Sequence, residues 1–455
     1  TGETNGGRSV LWSRGVNNTQ PASDSTTRRP NDPATLFPPI PAPARVYVPL
    51  ATREGEAAPA KPSGTRVAPG DALTDAAPET AHVAISPVSG KIVGTVRVDL
   101  LNGHRAAAVE ILVDADGATA SSSASPSSSS SSSSTTTPAP APESTDLTTW
   151  IDRLRHAGVW AQRHNGPDLL GQLYQALRRP VDTVVCNVLD GEDAVELNLA
   201  LARAYPLELI AGVRVLARTV KASRRRIAVD ADAPRADVTR LGRLIGGDDI
   251  GIIPLPNSYP QPDPTLLLYT LFKRRLRPGR LPPEQGVILL DAAAAIAVGR
   301  VALSGVGMLD VPLAVRDVRR GRTHLVSAPV GTPLWHVLER LDVDEDALPR
   351  IGDALRDLTT NRGAVVSGGE LVVHAGYATL SNDPDPCIRC GWCTAACPTR
   401  IHPAGLLEAT QRDDPALAER YGIESCIECG VCSYVCPSRL PLLGAIRQMR
   451  ARKRV

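Results

Sequence analysis

A group of four closely spaced cysteines followed by proline constrains this chain most, and the group occurs twice near the C-terminus. Eight of the nine cysteines belong to the two copies: Cys387, Cys390, Cys393 and Cys397 before Pro398, then Cys426, Cys429, Cys432 and Cys436 before Pro437. Three thiolates at this spacing wrap one corner of a cubane, while the fourth points away toward a second cluster. The spacing therefore predicts two [4Fe–4S] clusters whose fourth ligands are exchanged between the copies.

This exchange assigns the cysteines to two ligand sets. Cluster 1 would take Cys387, Cys390, Cys393 and Cys436, and cluster 2 would take Cys426, Cys429, Cys432 and Cys397. Zinc is disfavoured because its sites use separated cysteine pairs or cysteine–histidine mixtures. Disulfides are disfavoured because the bridge would be strained at this spacing. The ninth cysteine, Cys186, lies in an apolar run and is predicted to be a small, buried hydrophobic residue.

Length, charge and composition exclude several classes of protein. A chain of 455 residues exceeds what one core organises, so several domains are expected. The net charge of +2 gives no overall field that would attract nucleic acid. The longest apolar run, Ala292–Val298, is too short to span a membrane, so no transmembrane segment is predicted. Clustered thiols without a secretory signal predict a cytoplasmic protein.

The first third of the chain is predicted to contain a disordered tail, a β module and a linker. Residues 1–44 are polar and proline-rich, which predicts disorder. Residues 45–116 alternate β-branched runs with Gly and Pro turns and, through "SPVSGKIVG", resemble a barrel-sandwich hybrid domain of the lipoyl-carrier type. Lys91 follows a turn glycine there; it is either a modified carrier lysine or a solvated turn residue. Residues 117–146 form a Ser/Pro-rich linker.

Strand and helix patterns alternate over residues 147–299, from "DTVVCNVL" through "RRIAVDA" and "DIGIIPL", which predicts a parallel sheet covered by helices. Residues 300–376 read as a small β-grasp unit whose helix begins at Thr332. The cysteine copies lie in residues 380–446. The basic tail, 447–455, is either solvated or docks to an anionic membrane or an acidic partner.

The motifs "CIRCGWCTAACP" and "CIECGVCSYVCPSRLPL", together with this domain order, resemble the C subunit of Rnf-type electron transport complexes. The microcompartment cobalamin-reductase flavoproteins share that architecture. The resemblance implies a multidomain α/β plus β fold. Its parts are a barrel-sandwich hybrid, an α/β domain like the complex I flavin subunit, an SLBB-like β-grasp domain and a ferredoxin-like dicluster α domain.

The resemblance also implies an FMN site. The residues at the corresponding positions are Gly158, Gly166, Asn187, Asp190, Glu192 and Tyr259, and Asp190 stands where the family has glutamate. The family's phosphate-loop glycines are replaced here by residues 161–165, and the glycines after the Tyr-Pro-Gln step by Pro262 and Asp263. Two alternatives stay open: a degraded scaffold that carries only the clusters, or a flavin phosphate met by the charges of Arg163 and His164.

Three functions remain open at this stage. The first is an electron-transfer protein that works through two [4Fe–4S] clusters with a degraded flavin site. The second is a complete FMN-dependent reductase that oxidises NADH and feeds a membrane complex or a corrinoid acceptor. The third is a ligand-binding module with structural clusters. No catalytic residue is predicted. Expected partners are a redox protein or electron-transport subunits, in the cytoplasm, peripherally on the inner membrane face, or inside a microcompartment.

Overall fold

The computed structural model describes residues 32–50, 58–75, 82–115, 145–192, 194–247, 249–343, 348–377 and 383–453. Most of the predicted disordered tail and of the Ser/Pro-rich linker lies outside these residues. The predicted boundary at residue 44 needs correction, because residues 32–44 are folded. They contain helix α1 (Pro33–Leu36), and Phe37 and Ile40 are buried at 2% and 5% exposure. The Phe37 ring packs 6.2 Å from Tyr205, and this burial offsets the ordering cost of the segment.

The first sheet contains four antiparallel strands in the order β1-β4-β3-β2. Its strands are β1 (Arg45–Pro49), β2 (Arg66–Val67), β3 (Gly90–Asp99) and β4 (Arg105–Val113). Lys91 is an exposed residue of β3 that pairs with Arg66, so it lies in a strand rather than in the predicted turn. Gly90 is required at the strand start, because a Cβ there would collide with the carbonyl oxygen of Leu112.

The second unit is a parallel sheet with helices, as predicted. Its elements are α2 (Leu147–His156), α3 (Leu169–Ala176), β5 (Thr183–Asn187), α4 (Leu197–Ala204), α5 (Pro206–Thr219), β6 (Arg224–Asp230), α6 (Arg235–Ile245), β7 (Gly251–Leu255), α7 (Pro264–Phe272), β8 (Val287–Asp291) and α8 (Ala292–Ser304). All strands run parallel in the order β7-β6-β5-β8. The strand order therefore reverses between β5 and β8, which makes that position the switch point of the sheet.

Helices α5 and α8 cover one face of this sheet and cross closely. Gly212 of α5 lies against the carbonyl oxygen of Ala295, and Gly299 of α8 lies against that of Glu208. Neither position has room for a Cβ, so the two glycines set the distance between the helices. Pro206 occupies the first turn of α5 and separates it from α4, where proline is tolerated because its missing N–H would be unpaired anyway.

The third unit is a five-stranded mixed sheet in the order β10-β9-β13-β11-β12. Its elements are β9 (Asp310–Asp317), β10 (Arg322–Pro329), α9 (Leu334–Arg340), β11 (Arg350–Ile351), β12 (Leu358–Thr359) and β13 (Val372–Ala375). Strands β9 and β10 form an antiparallel hairpin, and β13 returns parallel to β9. Helix α9 begins at Leu334 rather than at the predicted Thr332, because Pro333 keeps an extended conformation as its N-cap.

The C-terminal unit is built from short helices. They are α10 (Trp392–Ala395), α11 (Pro403–Gln411), α12 (Pro415–Arg420), α13 (Val431–Tyr434) and α14 (Leu442–Lys453). The predicted tail at 447–455 is corrected in part, because α14 continues to Lys453. Arg447 and Arg450 pair with Glu428 at 3.0 and 2.7 Å, so these two cations bind within the chain. Among the described helices, none combines the length and apolarity that crossing a membrane requires.

Candidate functional site

The eight motif cysteines line two separate cavities. One cavity is lined by Cys387, Cys390, Cys393 and Cys436. The other is lined by Cys397, Cys426, Cys429 and Cys432. Each cavity thus receives three thiols from one copy of the motif and the fourth from the other copy. The free thiols are the soft donors that iron–sulfur clusters use, and the two sets of four fit that chemistry.

The two copies have nearly the same backbone. Gly391 and Gly430 adopt φ of 77° and 78°, and each precedes a one-turn helix, α10 or α13, that holds the third cysteine. Arg389 and Glu428, which precede these copies' second cysteines, are also left-handed, with φ of 57° and 54°. A sharp reversal before the short helix lets three cysteine side chains of one loop face the same cavity.

The second cavity is the more enclosed one. Its cysteines are buried, and burial raises the pKa of Cys429 to about 11 and that of Cys432 to about 12. In the first cavity, Cys387 and Cys390 are exposed to solvent. Cysteines bind iron–sulfur clusters as thiolates, so a cluster held in the second cavity would require these buried thiols to lose their protons. Within the described part of the chain, no three His, Cys, Asp or Glu side chains could hold a single metal ion.

A third cavity is a polar cleft at the carboxyl edge of the parallel sheet. It has a volume of about 1820 Å³ including its open mouth. Asn187 at the end of β5 and Asp291 at the end of β8 are register partners, and both line the cleft. The cleft therefore lies at the switch point of the sheet, where open α/β sheets bind ligands.

Acidic side chains of the chain occupy the helix N-termini around this edge. Asp190 accepts from the amides of Asn198 and Leu199 in α4, at 2.7 and 3.1 Å. Asp291 accepts from the amide of Ala294 in α8 at 2.8 Å. Asp263 caps α7 in the same way. A ligand phosphate would use amides of this kind, and here carboxylates already use them.

The residues substituted for the phosphate-loop glycines are also paired. Arg163 binds Asp291 through two hydrogen bonds of 2.5 and 2.6 Å, with both side chains less than a tenth exposed. His164 contacts Asp263 at 2.8 Å. Gly166 lies against the Asp291 carboxylate, so a Cβ would strike it. Arg163 and His164, which the sequence suggested as phosphate-binding residues, thus contact carboxylates of the same chain.

The residues predicted for FMN do not converge on one point. Asn187 lines the cleft and donates to the carbonyl of Pro262. Gly158 packs on Ile85 of the first sheet region. The Glu192 carboxylate accepts from the amide of Ala354, and burial raises its pKa to about 7. Tyr259 donates to the carbonyl of Cys429 at 2.5 Å, so it belongs to the surroundings of the second cavity.

Sequence reasoning missed three residues that the cleft depends on. Asp291 was detectable, because it ends the buried strand "GVILLD" beside the switch point. Asp353 and Arg356 line the cleft from the turn after β11, and no local pattern marks them. Arg356 is 5% exposed and donates to the carbonyl of Ile427, inside the second cysteine copy, at 3.1 Å.

Two family models match parts of the chain. Residues 172–300 match the Nuo51 FMN-binding domain, and residues 379–437 match the 4Fe-4S dicluster domain. The first match covers the parallel sheet, and the second covers both cysteine copies. The dicluster domain carries two [4Fe–4S] clusters, as the cysteine spacing predicted, and the Nuo51 match is compatible with FMN in the cleft.

Curated relatives share one name, that of the C subunit of the ion-translocating oxidoreductase complex. The relative from Pasteurella multocida (strain Pm70) is 28% identical over 311 residues, which are 66% of this chain and 37% of that protein. The relative from Cronobacter sakazakii (strain ATCC BAA-894) is 26% identical over 395 residues, 83% of this chain and 48% of that protein. The chain therefore spans less than half the length of either relative.

Among solved structures, an NAD+-reducing [NiFe]-hydrogenase in the H2-reduced state aligns with a TM-score of 0.47 at 14% identity. The alignment covers 68% of this chain and 62% of that one. The sequence relatives confirm the resemblance drawn from the cluster motifs. The chain is similar to the C subunits of ion-translocating oxidoreductase complexes, as its cluster motifs indicated.

Proposed function

We propose that this protein transfers electrons through two [4Fe–4S] clusters. The sorting of eight cysteines into two cavities carries the proposal. Cys387, Cys390, Cys393 and Cys436 would bind cluster 1, and Cys426, Cys429, Cys432 and Cys397 would bind cluster 2. A [4Fe–4S] cluster supplies one-electron transfer, and the chain supplies thiolates, shielding and the packing that holds both loops together.

The partners we propose follow from the relatives' name: the other subunits of an ion-translocating oxidoreductase complex, or a redox protein that serves one. We place the protein in the cytoplasm, peripherally on the inner face of the membrane, with a microcompartment as the alternative. The finer fold assignment is also a proposal. Strands β1–β4 would form the barrel-sandwich hybrid, and the β9–β10 hairpin with parallel β13 would form the SLBB-like β-grasp.

We propose further that the cleft no longer binds FMN. Asp190, Asp263 and Asp291 occupy the helix amides that a phosphate would need, and Arg163 is neutralised by Asp291. A phosphate in the cleft would add negative charge beside the acidic side chains that line it, which is unfavourable at short range. The competing function is a complete NADH-oxidising flavoprotein with FMN at Gly158, Gly166, Asn187, Asp190, Glu192 and Tyr259. The Nuo51 match and the cleft's position favour that alternative.

Iron, sulfide and flavin analysis of anaerobically isolated protein tests these proposals. We expect a full complement of iron and sulfide for two cubanes and no flavin released by acid. Cys390→Ser and Cys429→Ser should each lower the iron content, whereas Cys186→Ala should leave it unchanged, because Cys186 is buried in β5 away from both cavities. Zinc in place of iron, or Cys397 and Cys436 open to alkylation in the loaded protein, would refute the cluster assignment.

Released flavin in stoichiometric amount would instead support the flavoprotein. The ligand-binding alternative, in which the clusters are structural, predicts that neither cluster can be reduced in an EPR-monitored titration. These three outcomes separate the three functions.

A further inference from the structure

The two cysteine loops share one backbone conformation but lie in different surroundings. Ile388 of the first loop is 67% exposed, whereas its counterpart Ile427 is 3% exposed. Among the described residues, no neighbouring atom lies within 4 Å of the Cβ position of Gly391, whereas a Cβ on Gly430 would collide with the carbonyl oxygen of Leu355. The asymmetry comes from the rest of the chain, which packs against only one of two similar loops.

Two side chains from other units hold the second loop. Tyr259 donates to the carbonyl of Cys429 at 2.5 Å, and Arg356 donates to that of Ile427 at 3.1 Å. From within the C-terminal unit, Arg450 of α14 donates to the carbonyl of Cys426 at 2.6 Å. Among the described residues of the first loop, the carbonyls of Ile388 and Cys390 accept no comparable side-chain hydrogen bond.

Arg356 connects the loop to the cleft. It lines the cleft beside Asp353, whose carboxylate lies 4.0 Å from its Nε, and that buried Nε has no hydrogen-bond partner among the described residues. Arg447 of α14 donates to the carbonyl of Arg356 at 2.8 Å. The charged groups around the second loop include three cations, Arg356, Arg447 and Arg450, and three carboxyl groups, those of Asp353, Glu428 and Asp263.

We propose that Arg356 and Tyr259 are positioning residues that fix the loop Cys426–Cys432 against the cleft. Their clamp makes the site of Cys397, Cys426, Cys429 and Cys432 the shielded, cleft-side site of the pair. The site of Cys387, Cys390, Cys393 and Cys436 is the solvent-facing one. The inference rests on the proposed pair of clusters, and it adds that the two sites differ in access and in electrostatics.

The first experiment measures access. An iron chelator added to the loaded wild-type protein should remove iron in two phases of equal size, and Cys387→Ser should eliminate the fast phase. Arg356→Gln should accelerate the slow phase about tenfold, the effect of losing one hydrogen bond from a charged donor on local opening, and leave the fast phase unchanged. Tyr259→Phe should also accelerate the slow phase of iron loss.

Two glycine variants form a matched pair. Gly391→Ala and Gly430→Ala place the same side chain at the same positive φ, so the backbone strain is equal. Only Gly430→Ala meets Leu355, and it should accelerate the slow phase more than Gly391→Ala accelerates the fast one. Loss of iron in a single phase, or acceleration of the fast phase by Arg356→Gln, would refute the inference.

The second experiment measures charge. The reduced cluster is more negative than the oxidised one, so a buried cation beside it favours reduction. In an EPR-monitored titration, Arg356→Gln should lower the midpoint potential of one cluster, the one insensitive to Cys387→Ser, and Arg356→Lys should restore it. Wild-type protein without two clusters defeats the proposed function itself. If two clusters are present and neither midpoint potential changes in Arg356→Gln, only the inference is refuted.

Discussion

Asp291 shows how much one side chain does at the cleft. Its carboxylate caps α8 through the amide of Ala294, binds Arg163 with two hydrogen bonds and fills the space beside Gly166. A glycine-rich phosphate loop would leave this space for a ligand. Here the arginine and the aspartate bind each other, so the Arg163 charge is not left unpaired for a ligand phosphate.

We expect Asp291→Asn to destabilise the protein by about 3–5 kcal/mol, because Arg163 would remain buried without its counter-charge. Asparagine keeps the N-cap function, so the change isolates the ion pair. Denaturant unfolding measures the effect. Asp249→Asn is the control: its pair with Arg214 is about a third exposed, and the expected cost is about 1 kcal/mol or less. Equal costs for the two variants would contradict the role of burial.

His82 gives a second prediction at this scale. It is buried against the Trp160 ring, 4.9 Å between centroids, and burial lowers its pKa from 6.5 to about 4. The unfolded chain therefore binds a proton that the folded chain does not, so stability falls as pH drops below about 6.5 and the loss is complete below about pH 4. From about pH 7 to about pH 5 the loss is on the order of 2 kcal/mol.

His82→Phe keeps a ring on Trp160 and removes the titration. Its unfolding free energy should lack that part of the pH dependence, whereas His104→Phe, at an exposed position, should keep it. An unchanged pH profile in His82→Phe would show that His82 is not held neutral.

At the scale of elements, glycines decide how closely helices and loops pack. Gly212 and Gly299 let α5 and α8 touch backbone to backbone over the parallel sheet. In α6, the Cβ position of Gly242 has one neighbour among the described residues, Ile252 at 3.9 Å. Glycine is therefore required for close helix packing in α5 and α8, whereas in α6 the packing does not require it.

We predict that Gly299→Ala destabilises the protein by about 1–3 kcal/mol or more, because the added methyl group forces α8 away from the backbone of Glu208. Gly242→Ala should stabilise it by about 0.5–1 kcal/mol, since alanine favours the helix and meets no obstacle. Thermal or denaturant unfolding of both variants checks the pair. Destabilisation by both, or by neither, would contradict the packing of α5 on α8.

At the scale of the whole molecule, the C-terminal unit depends on its clusters more than the rest does. Its buried core is small and includes the cysteines themselves, in two groups around Cys397 and Cys426 and around Cys393 and Cys432. The other units share a large continuous core that runs from Phe37 to Ala375. Removing the clusters therefore weakens one part of the molecule selectively.

Iron chelation should lower the midpoint temperature of one calorimetric unfolding transition, or abolish that transition, and leave the main transition nearly unchanged. The reason is that the free energy of cluster binding contributes directly to the folding free energy of a small unit. The matched control is Cys186→Ala, which should alter the main transition and not the iron-dependent one. A single transition that shifts as a whole on chelation would show instead that the clusters stabilise the entire chain.

The sequence alone determined the parts that depend on local spacing. Cysteines at fixed intervals predicted two clusters, and alternating strand and helix patterns predicted the parallel sheet, because both signals lie within a few neighbouring residues. Only the tertiary structure decided which charges are free and which loop is shielded. Arg163 meets Asp291, and Arg356 meets Ile427, across long separations in the chain. Such contacts leave no periodic pattern, since they depend on how whole units pack, and the folding of residues 32–44 depends on packing in the same way.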